Sequence, residues 1–79
     1  MNIQSENYQG ALCTLVDGMG MPVEEGRVVK DEHGDVWSVT GGRAPHNANS
    51  TGHVFALHVA EDFERTFYVG VLGMSWVVA

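Results

Sequence analysis

Arg27-Val28-Val29-Lys30-Asp31-Glu32-His33-Gly34-Asp35-Val36-Trp37-Ser38-Val39-Thr40 decides the fold class of this 79-residue chain. Two flanks rich in β-branched and aromatic residues enclose a tetrapeptide made for reversal. Asp31 at the first turn position bonds backbone amides ahead of it, and Gly34 takes the left-handed conformation that closes such a loop. The stretch therefore reads as a β-hairpin with a type I turn and a glycine bulge. On the second flank the two-residue period sets Trp37 and Val39 on one face, with Ser38 and Thr40 on the other.

Working outward, the same grammar repeats. Ten glycines cut the chain into segments mostly under ten residues long. Helices average roughly 11–12 residues and tolerate glycine poorly, whereas strands average ~5–6. Ala11 to Val16 reads as a strand ending at Asp17-Gly18. His53 to Val59 reads as another, with Phe55, Leu57 and Val59 on its apolar face. Glu61 to Arg65 reads either as one helical turn or as a charged turn. Thr66 to Val69, a Val71-Leu72-Gly73 corner and Met74 to Val78 close the chain, with Trp76 and Val78 sharing a face with Met74. Residues 1–10 form a polar N-terminal arm and residues 11–79 a single domain. An all-β barrel of about five strands is expected, with at most one or two short helical turns. Trp37, Trp76, Phe55 and Phe67 supply most of its buried area.

Composition bounds the function. Four Lys and Arg against ten Asp and Glu give a net charge of −6. Nucleic-acid affinity is built largely from clustered cations, so a broad phosphate-binding surface is disfavoured. A local patch from Arg27, Lys30 and Arg43 is the remaining route to such binding. The acids group as Glu24-Glu25, Asp31-Glu32 with Asp35, and Glu61-Asp62 with Glu64. They read as solubility charge and edge protection, or as an acidic rim meeting a basic partner. An acidic nucleic-acid mimic would carry a denser, more continuous stripe.

The single cysteine, Cys13, excludes an intramolecular disulfide and a multi-cysteine zinc site. It lies in an apolar segment without a neighbouring base and reads as core. The spacing His46-x6-His53-x4-His58 matches no compact metal signature, and the odd separation of His53 and His58 sends them to opposite faces of one strand. His33 reads as a solvated turn residue. No metal, no cofactor and no catalytic constellation of acid, base and nucleophile is expected. The polar N-terminus does not read as a secretory signal, and no run approaches the ~18–20 apolar residues that cross a bilayer. A lone thiol without export signals fits a reducing cytoplasm.

Between Thr40 and His53 stands a long loop-forming stretch, Gly41 to Gly52. Structureless loops of this length are often functional. Arg43, His46, Asn47 and Asn49 are its candidate partner-binding residues, with Glu24 and Glu25 as charges that steer encounter.

Val23 to Thr40, with Gly26, the paired Val28 and Val29, Asp31, Gly34 and the Trp37-x-Val39 ending, resembles the opening hairpin of small SH3-like barrels. Arg65 to Gly70 and Met74 to Val77 resemble the closing corner and last strand of such barrels. More narrowly, the chain resembles small uncharacterised proteins encoded by phages and prophages of enteric bacteria. The resemblance implies an SH3-like barrel of about five strands. It also implies a non-catalytic protein-binding module, a phage-encoded accessory protein that binds and occludes a host bacterial protein. The alternative is a nucleic-acid-binding or ribosome-binding module, or an acidic nucleic-acid mimic. The resemblance carries no functional residue over, and oligomeric state stays open.

Overall fold

The computed structural model describes residues 1–79. Seven strands follow one another: β1 (Gln4–Glu6), β2 (Leu12–Val16), β3 (Val28–Lys30), β4 (Val36–Arg43), β5 (His53–His58), β6 (Glu64–Tyr68) and β7 (Ser75–Val78). They form two antiparallel sheets, of order β1-β2-β7 and β3-β4-β5-β6. The all-β expectation holds. There is no α-helix, and a single 3-10 turn at Val69–Leu72 joins β6 to β7. Seven strands in two sheets replace the expected five, and no hydrogen-bonded closure into a barrel joins the sheets. The one strand with no counterpart in the sequence reading lies at the N-terminus. Gln4–Glu6 pairs with β2 and Ile3 is buried, so the segment read as a polar arm is a working part of the fold.

One turn design recurs three times. In the β3–β4 hairpin, Asp31 Oδ1 accepts the amides of His33 and Asp35, Gly34 N–H returns to the Asp31 carbonyl, and Gly34 has φ +86°. Asp17 does the same for Met19 and Met21, with Gly20 at φ +80°. Asn7 does it for Gln9 and Ala11, with Gly10 at φ +77°. A side-chain acceptor three residues before a left-handed glycine satisfies the amides that a tight reversal leaves unpaired. The β5–β6 turn is a variant. His58 Nδ1 accepts the Glu61 amide at 3.1 Å, and Asp62 takes the left-handed place at φ +60°. Glu61 to Phe63 is thus the charged turn, not a helical one, and β6 begins at Glu64.

The core lies between the sheets. Trp37 is 1% exposed, and Leu15, Val23, Val39, Val54 and Ala56 are fully buried, with Ile3, Phe67, Val69 and Met74 around them. Three of these residues are tied by a ring of backbone bonds. Ile3 N–H donates to the Val23 carbonyl (3.3 Å), Val23 N–H to Leu15 (2.8 Å) and Leu15 N–H to Ile3 (3.0 Å). The ring satisfies buried amides where the N-terminal segment leaves β2 for residues 22–24.

Trp37 and Val39 face inward as expected. On β5 the expected face is reversed: Val54, Ala56 and His58 point in, while Phe55 and Leu57 are half-buried outside and Val59 is exposed. Trp37 and Phe67 fill the layer with rings 4.8 Å apart, leaving room for small residues on the strand between them. Trp76 is only partly buried and Val78 is 68% exposed, so the C-terminal strand adds less to the core than its sequence suggests.

Candidate functional site

The stretch read as one long loop divides at Arg43. β4 runs through Gly41 and Gly42 after a bulge between Val39 and Gly41. A bulge inserts a residue on one strand and re-aims the side chains beyond it. The glycines then allow a close approach. A Cβ on Gly42 would stand 2.7 Å from the Trp76 ring, and one on Gly52 would strike the same indole. Trp76 Nε1–H donates to the His53 carbonyl at 3.2 Å, so the indole is held against the base of the 44–52 segment. Tyr8 N–H donates to Pro45 O at 2.9 Å, and the Ala44 amide donates to Ser5 Oγ at 3.1 Å. The segment is anchored at both ends, and its tip, His46 to Asn49, stands exposed, as does Thr51.

Between this segment and the β6–β7 corner lies an open groove of about 410 Å³. Pro45, Ser50 and Thr51 form one wall, and Val69, Met74 and Trp76 the other. No charged residue lines it. On the outer face of the same end, Arg43, His53 and Tyr68 share one rung across β4, β5 and β6. His53 lies 5.1 Å from the Tyr68 ring and 6.3 Å from His46, which stacks on it.

Charge is sorted along the four-stranded sheet. The β3–β4 and β5–β6 turns occupy one end and carry Asp31, Glu32, Asp35, Glu61 and Asp62, with Glu64 adjoining. No carboxylate side chain occurs between Asp35 and Glu61, or after Glu64, and none lines the groove. Glu6 of β1 is exposed two residues before Tyr8, whose amide bonds Pro45.

The structure brings Arg43 and His46 together at this end and leaves Asn47 and Asn49 exposed beside them. Asn47 also has a structural task, its Oδ1 accepting the Asn49 amide at 2.9 Å. Glu24 and Glu25 are elsewhere. Glu24 bridges Asn2 and lies 3.9 Å from the N-terminal ammonium. The supposed cationic patch is dispersed. Arg27 is held by Asp17 at 3.0 Å, Lys30 pairs with Val36 at the acidic end, and Arg43 stands at the other end of β4. Seven residues of strand put Lys30 and Arg43 roughly 20 Å apart. Trp76, Tyr68 and the Val69–Met74 corner were not singled out from the sequence as contributors to this site. The signal was the pair Gly41-Gly42, which marks where another group lies against the strand.

A second cluster sits at the acidic end. Buried His58 meets Trp37 edge-on at 4.8 Å, stacks on Phe63 at 4.9 Å, and has Nε2 3.4 Å from Asp35 Oδ1. With Nδ1 accepting from Glu61, both ring nitrogens are engaged in holding two turns together. Cys13 is 2% exposed, its Sγ near the Ala11 carbonyl at 3.7 Å, a packing position. No group of three or more His, Cys, Asp or Glu is placed to hold a metal ion. No helix is long and apolar enough to cross a membrane.

Comparison with protein-family models, with curated proteins and with solved structures returns no match. Function therefore rests on the site itself.

Proposed function

We propose that this protein is a non-catalytic protein-binding module that engages its partner through the groove between Pro45–Thr51 and the Val69–Trp76 corner. The observation that carries this reading is the groove itself. It is open, lined by no charged residue and rimmed by a half-buried tryptophan, at the end of the four-stranded sheet opposite the acidic β3–β4 and β5–β6 turns. Interface centres are depleted in charge and enriched in aromatic anchors. The exposed tip with His46, Asn47 and Asn49, and Arg43 beside it, supplies polar contacts at the rim.

The narrower form of the proposal comes from the sequence resemblance: an SH3-like small barrel, encoded by a phage, occluding a host protein in the bacterial cytoplasm. The dispersal of Arg27, Lys30 and Arg43 weighs against the nucleic-acid alternative, which needs clustered cations.

The test is capture from a bacterial lysate on immobilised protein, then competition with soluble variants. A soluble chain lacking His46 to Asn49, or carrying Ser75→Arg in the groove, should fail to displace the captured protein. The wild type should displace it. Displacement by both variants, or a gel shift of single-stranded DNA or RNA at low salt, would overturn the reading.

A further inference from the structure

We infer that β7 pairs with β7 of a second copy of this chain, joining two three-stranded sheets into one of six strands. The inference concerns the edge of the β1-β2-β7 sheet, whose Ser75 and Trp76 also line the groove; Val77, where the pairing is tested, does not.

The two sheets have four edges, and exposed edges invite pairing unless they are short, charged or covered. β1 is covered, since Ala44 and Pro45 bond to Ser5 and Tyr8 along it. β3 has only three residues and carries Lys30. β6 opens with Glu64 and Arg65. β7 has none of these devices. Its four residues are Ser75, Trp76, Val77 and Val78, and no charged side chain occurs from Thr66 to Ala79. Val77 is 43% and Val78 68% exposed.

Backbone polarity says how a second strand would fit. Ala79 N–H donates to the Leu12 carbonyl, which fixes the alternation along the β2–β7 ladder. Ser75 and Val77 therefore spend their backbone groups on Val16 and Thr14. The N–H and C=O of Trp76 and Val78 point away from the sheet, and neither residue has a backbone bond to any turn, loop or further strand. Those free groups sit two residues apart about Val77. An antiparallel copy related by a two-fold axis beside Val77 sets Trp76 opposite Val78 of the other molecule, and Val78 opposite Trp76. Four backbone hydrogen bonds then form. Val77 faces its own counterpart in the close, non-hydrogen-bonded position, at about 4.5 Å between Cα atoms. The cross-strand pairs are all apolar, and a two-fold contact of this kind is closed. Since each copy carries a net charge of −6, added salt strengthens the pairing by screening repulsion between the distant acidic ends.

Sedimentation equilibrium of the protein from about 10 μM to 1 mM should show mass rising from 8.6 kDa toward twice that value. The rise should be larger in 0.5 M than in 0.05 M NaCl. Val77→Lys should abolish the rise while leaving the circular dichroism spectrum unchanged. Position is tested separately by oxidation of Val77→Cys and Val71→Cys variants. The 77–77 pairing lies within the roughly 4.4–6.8 Å Cα separation that a disulfide spans, so Val77→Cys should cross-link at least tenfold faster. A monomer throughout the range, or equal cross-linking of the two variants, would overturn self-pairing and leave the edge to a strand of another protein.

Discussion

Trp37 Nε1–H donates to Asp31 Oδ2 at 3.0 Å, while Asp31 Oδ1 accepts the amides of His33 and Asp35. One carboxylate thus closes the β3–β4 turn and orients the most buried aromatic of the core. Asp17 has the same division of labour, with Arg27 Nη2 in place of the indole.

The first prediction is acid sensitivity. The Trp37 indole and the amides of Asp35 and His33 hold the Asp31 carboxyl below the usual carboxylate range. The Met21 amide, then Arg27, does the same for Asp17. Folded values lie below unfolded values, so this stabilisation is present above about pH 4 and is lost as pH falls through the depressed folded values. Urea midpoints between pH 7 and pH 2 should fall below pH 4. In Asp31→Asn the fall should be shallower, from a lower midpoint at pH 7.

Core truncation should separate the two tryptophans. Trp37→Ala should cost about 3–5 kcal/mol, enough to unfold most of a domain this small. Trp76→Ala, at a half-buried position, should cost less than half as much. Denaturant melts of the two variants check the ranking, and equal losses would contradict it.

How much of this was legible in the sequence differs by element. The β3–β4 hairpin was readable because Asp31 and Gly34 sit at the two positions the turn chemistry demands, and its strands alternate cleanly. The first two turns use the same device, Asn7 with Gly10 and Asp17 with Gly20, and could have been found by the same reading. The β5 face was not legible. His53 to His58 is apolar on both parities, and a one-residue choice inverts every side chain. The choice was made by the bulk of Trp37 and Phe67 on the neighbouring strands, which the local pattern does not contain. The site was half legible. Its loop announced itself by composition, whereas its opposite wall comes from residues 69–76, brought near only by the 3-10 turn.

Gly52→Ala should displace Trp76. The position has φ +90°, and a Cβ there would meet the indole and stand 2.8 Å from the Arg43 carbonyl. Red-shifted tryptophan emission with little change in far-ultraviolet circular dichroism is the expected pattern. Unchanged emission would mean that the indole is not held against the loop.

His58 should be replaceable in one of its two roles. Asn at this position supplies a side-chain acceptor for the Glu61 amide, as Asn7 does for its own turn, but no ring for Trp37 and Phe63. His58→Ala loses both and should cost about 2–4 kcal/mol. His58→Asn should recover part of that loss, and amide hydrogen exchange at Glu61 should slow again.

The sorting of charge gives the molecule a preferred way up. With six of its ten acids around two neighbouring turns, a cationic surface draws down the Asp31–Asp35 and Glu61–Asp62 end first. Molecules laid on an amine-coated chip therefore stand with Trp76 and the 44–52 segment turned to the solution. Coupling through Lys30, which lies at the acidic end, preserves that orientation covalently.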